Sequence, residues 1–153
     1  MPVQKRLSTA QGLVRHALRQ TLVANTKSGQ KLLVAVSGGA DSLALAAATE
    51  FEAKKLNLKI AAAVIDHSLQ PQSAQVAANT AKQLSGLGFA EVHIKKVSVG
   101  TRGGPEAAAR EARYKALEEL RLKTKSNFIV LGHTSSDQAE TVLLGLVRGS
   151  GAK

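Results

Sequence analysis

The stretch KLLVAVSGGADSLALAAATEFEAKKL, residues 31–56, decides the fold. Lys31 to Val36 is a short apolar run suited to a strand covered on both faces. Residues 41–56 are rich in Ala and Leu and hold no Gly or Pro, which favours a helix. Between them lies Ser37-Gly38-Gly39-Ala40-Asp41-Ser42. Two adjacent glycines let the backbone turn tightly with its N–H groups pointing inward, and the helix that follows presents the positive end of its dipole to an anion. The Ser37 and Ser42 hydroxyls can donate to phosphate oxygens. Asp41 would repel a phosphate unless a divalent cation lay between them, so the loop implies Mg²⁺ as well as a phosphate ligand. The spacing is not that of the dinucleotide fingerprint, which needs a third glycine, nor of the Walker loop, which needs Gly-Lys-Ser/Thr. The plain alternative is a serine-glycine turn in which Asp41 caps the helix.

Working outward, Ser8 and Gln11 have capping-box spacing, and Leu13, Val14, Ala17, Leu18, Thr21 and Leu22 repeat at helical intervals, so a helix is expected over 9–24, ended before Gly29. A second buried strand is expected over 60–65, a helix over 72–87 behind Pro71, and a more polar strand over 91–97 that suits a sheet edge. A glycine-rich loop to Gly104 precedes Pro105, which opens a helix to about residue 123. The run 127–131 is a fourth strand, and 136–147 is expected as a last helix. Strand and helix thus alternate four times. The fold class is α/β: a parallel sheet with helices on both faces, a Rossmann-like sandwich that gathers ligands at the carboxyl ends of its strands. Residues 1–153 read as one domain. The chain stops at Arg-Gly-Ser-Gly-Ala-Lys with no closing element, so a fragment of a longer protein is expected.

Composition narrows the function. With 44% hydrophobic and 21% charged residues among 153, the chain is globular rather than disordered or fibrous. No run approaches the ~18 apolar residues of a membrane span, and the start lacks signal-peptide design, so no membrane association and a cytoplasmic location are expected. The absence of cysteine excludes disulfides and thiolate chemistry from this chain. The net charge of +10 favours a polyanionic partner such as nucleic acid, and residues 1–40 hold Lys5, Arg6, Arg15, Arg19, Lys27 and Lys31 against no acidic side chain. Four aromatic residues, Phe51, Phe89, Tyr114 and Phe128, do not make a base-stacking platform, so nucleic-acid contacts would be mostly to phosphates.

The Ser-Gly-Gly-x-Asp-Ser stretch resembles the signature of the PP-loop ATP pyrophosphatases. That resemblance implies the adenine nucleotide alpha hydrolase type of sheet, ATP split between its α and β phosphates, and a loop that holds the leaving pyrophosphate. Three further segments resemble the tRNA(Ile)-lysidine synthetases in particular. Ile65-Asp66-His67-Ser68-Leu69-Gln70 is similar to their Val-Asp-His-x-Leu-Arg, with Gln70 in place of the usual Arg. Ala109-Arg110-Glu111-Ala112-Arg113-Tyr114 is similar to their Ala-Arg-x-Ala-Arg-Tyr. His133-Thr134-Ser135-Ser136-Asp137-Gln138-Ala139-Glu140-Thr141, followed by Arg148-Gly149-Ser150-Gly151, is similar to their His-x-x-x-Asp-Gln-x-Glu-Thr and Arg-Gly-Ser-Gly, with Ser136 where many members have a second acid.

The resemblance implies an enzyme that uses ATP to adenylate the C2 oxygen of the wobble cytidine in a tRNA(Ile) with a CAU anticodon, after which free L-lysine displaces AMP. It would make this chain the N-terminal catalytic domain, with C-terminal tRNA-binding domains lying elsewhere. ATP would be held by Ser37, Gly38, Gly39, Ala40, Asp41, Ser42, Asp66 and His67, and Mg²⁺ by Asp41 and Asp137. Catalytic roles would fall to Asp41, Arg113, His133, Asp137 and Glu140, and tRNA contacts to Arg110 and Arg148. Each segment has an ordinary alternative: Asp66 and His67 finishing a strand, Arg110 or Arg113 paired with Glu106, Asp137 capping a helix. Two other functions stay open, a tRNA thiolase of the same superfamily and a non-catalytic nucleotide-binding module. Oligomeric state, a homodimer included, is not set by these residues.

Overall fold

The structure is a computed structural model that describes residues 9–68, 70–98, 103–134 and 142–148. In chain order the elements are α1 (Thr9–Asn25), β1 (Lys31–Val36), α2 (Ala40–Lys55), β2 (Lys59–Asp66), α3 (Ser73–Leu87), β3 (Val92–Lys96), α4 (Pro105–Thr124), β4 (Phe128–Thr134) and β5 (Val142–Arg148). They form one sheet of order β3-β2-β1-β4-β5, in which β1 to β4 are mutually parallel.

Alternation along the strands sorts the core into two layers, because successive side chains leave a strand on opposite faces. Leu32, Val34 and Val36 of β1, with Ala62 and Val64 of β2 and Phe128 and Val130 of β4, pack under Leu18 and Leu22 of α1, Leu45 and Ala46 of α2, and Ala77 and Leu84 of α3. Leu33, Ala35, Ala61, Ala63, Ile129 and Leu131 face the other way and meet Leu117 and Leu120 of α4. Helices therefore cover both faces, three against one. β3 lies at an edge, as its polar alternation implied, with Ile94 and Lys96 exposed.

One expectation is overturned. In place of a last helix over 136–147, residues 142–148 form an antiparallel strand that pairs with all of β4, from Phe128↔Arg148 to Thr134↔Val142. The order β3-β2-β1-β4 leaves β4 with an unpaired edge, and VLLGLVR is an apolar run that suits a strand as well as a helix, so available hydrogen-bond partners decide. The earlier part of that expected helix, like Ser8, lies outside the described residues.

α1 is held to α2 by a charge cluster. Glu52 is 1% exposed, and both its oxygens accept from Arg19, Nε to Oε2 at 2.9 Å and Nη2 to Oε1 at 3.3 Å. Arg15 approaches Oε1 at 3.5 Å and lays its guanidinium over the Phe51 ring, 3.8 Å from the centroid. Burial pushes the Glu52 carboxyl up, but the hydrogen bond and charge of Arg19, aided by Lys55 and Arg15, outweigh it and leave it below its usual range. A carboxyl lowered in the fold contributes stability above its ordinary pKa and loses it as pH falls through the lowered value. Glu52→Gln is expected to reduce unfolding free energy at neutral pH, with the gap to wild type closing in acid, as read by urea denaturation across pH; a gap independent of pH contradicts the charged role.

Candidate active site

β1 carries Ser37 to the carboxyl end of the sheet, and α2 starts three residues later. Because α2 and α3 lie on one face and α4 on the other, the connections change side between β1 and β4. In open α/β sheets that switch point is where a crevice forms. Ser37 follows β1, His67 follows β2 and His133 stands one residue before the end of β4, so three segments marked in the sequence share this rim.

The turn from β1 into α2 is organised around one oxygen. The N–H groups of Ser37 and Gly38 both donate to Ser42 Oγ, at 3.2 Å each, and the Ser37 hydroxyl reaches it at 3.1 Å. Ser42 in turn donates to the Gly39 carbonyl at 3.0 Å. Successive N–H groups converging on one oxygen make an anion-binding concavity, and the same donors suit a phosphate oxygen. Gly38 has φ +97, and a Cβ there would stand 2.7 Å from Thr80 Oγ1, so neither the backbone nor the space admits a side chain. The N-cap of α2 is Gly39, with no side-chain cap. Asp41 therefore does not cap the helix, as the plain reading of the turn had it; it sits exposed in the first turn.

That placement suits Mg²⁺. Asp41 makes no ion pair among the described residues, and it stands beside uncapped helix amides that favour phosphate. No group of three or more His, Cys, Asp or Glu assembles among the described residues, which do not include Asp137.

A cleft of about 310 Å³ opens beside the rim, lined by His67, Ala109, Arg110, Arg113 and Tyr114. Asp66, 5% exposed, does not face it as a free group: its Oδ1 accepts the Ser68 N–H at 2.9 Å, and the Ser73 hydroxyl also bonds it. The Ser68 bond, then that of Ser73, holds the Asp66 carboxyl below its usual range. Asp66 thus fixes the turn that presents His67. The His67 ring is pulled down from its ordinary pKa by burial and by the Arg113 charge, against the opposing charge of Asp66, and its Nδ1 is buried with no hydrogen-bond partner among the described residues. Arg110 stacks toward Tyr114, 5.5 Å from ring centre. Neither Arg110 nor Arg113 pairs with Glu106 among the described residues. A neutral imidazole sharing a cleft with two arginines offers an anion both positive charge and a hydrogen-bonding partner.

Of the remaining sequence candidates, His133 lies on the rim near the end of β4. Arg148 pairs in register with Phe128, which puts its backbone at the end of the sheet away from the Ser37 turn. Asp137 and Glu140 lie outside the described residues. Thr80 and Ser73 were missed by sequence reasoning. Ser73 opens a helix and so carried a faint signal as a polar first residue; Thr80, in mid-helix, carried none.

A family model for the PP-loop domain matches residues 12–153. The chain belongs to the PP-loop domain family. The tRNA(Ile)-lysidine synthase of Thermobifida fusca is 52% identical over 141 residues, 92% of this chain and 43% of that protein. Those of Leifsonia xyli and Rhodococcus jostii are 53% and 50% identical over 80% and 92% of this chain, and 37% and 41% of their own lengths. The chain therefore spans about two fifths of these relatives. The solved U34-tRNA thiolase NcsA of Methanococcus maripaludis superposes with a TM-score of 0.66 at 20% identity, over 78% of this chain and 44% of that one, and shares the fold. The Ser37–Ser42 turn lies within the matched residues.

By NMR titration, His67 is expected to protonate below the ordinary histidine value of about 6.5. Arg113→Ala should raise that value part of the way, since burial is the larger cause. An unshifted His67, or one that ignores Arg113, contradicts the geometry of the cleft.

Proposed function

We propose that this chain is the ATP-using catalytic domain of a tRNA(Ile)-lysidine synthase. The observation that carries the reading is identity of about half of all residues, over more than nine tenths of the chain, to proteins of that name. The substrates are then ATP, L-lysine and a tRNA(Ile) whose anticodon is CAU, and the cytoplasm is where they meet. No helix among the described residues is long and apolar enough to cross a membrane.

The chemistry runs in two displacements. The C2 oxygen of the wobble cytidine attacks the α phosphorus of ATP, forming a P–O bond as pyrophosphate leaves. A lysine amine then attacks C2 and AMP departs with that oxygen, because an adenylate leaves where a bare carbonyl oxygen does not. The Ser37 and Gly38 amides, the Ser42 hydroxyl and the uncapped start of α2 hold the pyrophosphate end and take up its growing charge. Asp41 would hold Mg²⁺, which supplies charge neutralisation between the phosphates when bound. Arg113 and His67 wall the neighbouring cleft, and Arg113 is the cation that would steady the α phosphate. Arg110 faces the same cleft and suits the tRNA backbone. His133 is assigned to phosphate contact, Asp137 and Glu140 to a metal or the attacking amine, and Arg148 to tRNA, on the family resemblance of their segments. The basic excess of the chain matches a polyanionic substrate.

Incubating the protein with labelled lysine, ATP and transcripts that differ only at the wobble base should label only the CAU transcript, with one AMP released per lysine joined. Mass spectrometry of the nucleoside should show added lysine; sulfur in place of oxygen would mean a thiolase, and tight ATP binding without turnover a sensor module. Asp41→Ala should lower the rate of AMP formation by about 10²-fold or more, as loss of a group that stabilises developing charge does. An unchanged rate overturns the metal assignment.

A further inference from the structure

The polar residue nearest Gly38 from outside the loop is Thr80 of α3. It is 2% exposed, and its hydroxyl donates to the Val76 carbonyl at 2.8 Å, so its rotamer is set by its own helix. Its Oγ1 would stand 2.7 Å from a Cβ on Gly38, while its own Cβ and the Val76 Cγ1 would stand 3.8 Å away. Thr80 Oγ1 is therefore the nearest atom that a side chain on Gly38 would meet.

Packing alone does not require that atom. Ala77 and Leu84 are the buried apolar neighbours of Thr80 on α3, and a hydroxyl bonded back to the carbonyl four residues earlier adds nothing to a helix and tends to bend it. An oxygen is smaller than a methyl group, so threonine in this rotamer lets the Gly38 backbone come nearer than valine would. Gly38 is also one of the two residues whose N–H groups converge on Ser42 Oγ. Thr80 stands on the side of Gly38 toward which a side chain would point, and Gly38 aims its amide donor at Ser42 Oγ.

We propose that Thr80 is a positioning residue of the PP-loop: its Oγ1 is the stop against which Gly38 rests, and it sets the direction of the loop amides that receive the phosphates of ATP. The inference rests on the reading of the loop as an ATP site. Thr80 touches neither nucleotide nor metal and acts through Gly38. Removing the oxygen lets the loop sink toward α3, and enlarging it pushes the loop out. Both displace the amides while the fold stands.

The test is steady-state kinetics and ATP binding by the purified protein carrying Thr80→Ser, Thr80→Ala or Thr80→Val, with thermal unfolding and far-UV circular dichroism alongside. Thr80→Ser keeps Oγ1 and should match wild type in the KM for ATP. Thr80→Ala and Thr80→Val should raise that KM about tenfold, less than the roughly 10²-fold loss that a full 1 Å misplacement can cause. The KM values for lysine and tRNA should not move. Gly38→Ala supplies a second arm that does not depend on the stability of the Thr80 variants. It should abolish measurable ATP binding, and Thr80→Ala in the same protein should restore part of it, because the 2.7 Å contact is gone and only the backbone strain is left. Equal KM values for Thr80→Ser and Thr80→Val, or a Gly38→Ala defect that Thr80→Ala leaves untouched, overturn the proposal. Failure of the wild-type protein to bind ATP overturns the nucleotide reading and the proposal with it; binding by wild type with indifferent Thr80 variants overturns the proposal alone.

Discussion

The close approach of the turn after β1 to helix α3 governs the site. Gly38 has a left-handed backbone and no room for a Cβ, and with that geometry the N–H groups of Ser37 and Gly38 point at a common oxygen. A strand buried on both faces brings the turn to the rim, and a helix with no side-chain cap leaves from it. The result is an array of donors converging on one oxygen, the arrangement that suits an anion.

The second half of the site comes from the opposite face of the sheet. α4 packs through Leu117 and Leu120, and its amino-terminal half runs past the end of β2, so that Arg110 and Arg113 reach His67. Asp66, buried and committed to the Ser68 amide and to Ser73, spends its charge on the turn and leaves the cleft positive. The burial that holds His67 neutral also keeps it a hydrogen-bonding partner without adding a third cation beside the two arginines. The donor turn and an adjoining positive cleft thus follow from a parallel sheet whose crossovers change face between β1 and β4.

Much of this was legible in the chain. The bounds of β1 agree residue for residue with the apolar run KLLVAV, and Pro105 and Gly88 mark ends where they stand, because local chemistry alone decides them. The rim followed from strand-helix alternation, and Arg110 and Arg113, three apart on α4, share a face as helical spacing requires. What local chemistry could not decide was settled by contacts distant in sequence. Residues 142–148 form a strand because β4 offers an open edge, which no window of seven residues reveals. Glu52 reads as a surface acid of a helix until α1 brings Arg15 and Arg19 to it from more than thirty residues away. Thr80 is a single hydroxyl in mid-helix, and its part emerges only with Gly38 beside it. Arg148 and His133 sit in adjoining segments of the chain, but the antiparallel return of β5 separates their backbones to opposite ends of β4.

The central claim is that the phosphates of ATP lie in the turn from Ser37 to Ser42. A crystal structure of the protein with Mg²⁺ and a non-hydrolysable ATP analogue tests it most directly. The account predicts phosphate oxygens on the Ser37 and Gly38 amides and the Ser42 hydroxyl, a metal on Asp41, and Arg113 on the nucleotide side of the cleft. A nucleotide bound elsewhere, with the Ser42 hydroxyl still bonded to the Ser37 and Gly38 amides as it is here, would contradict it.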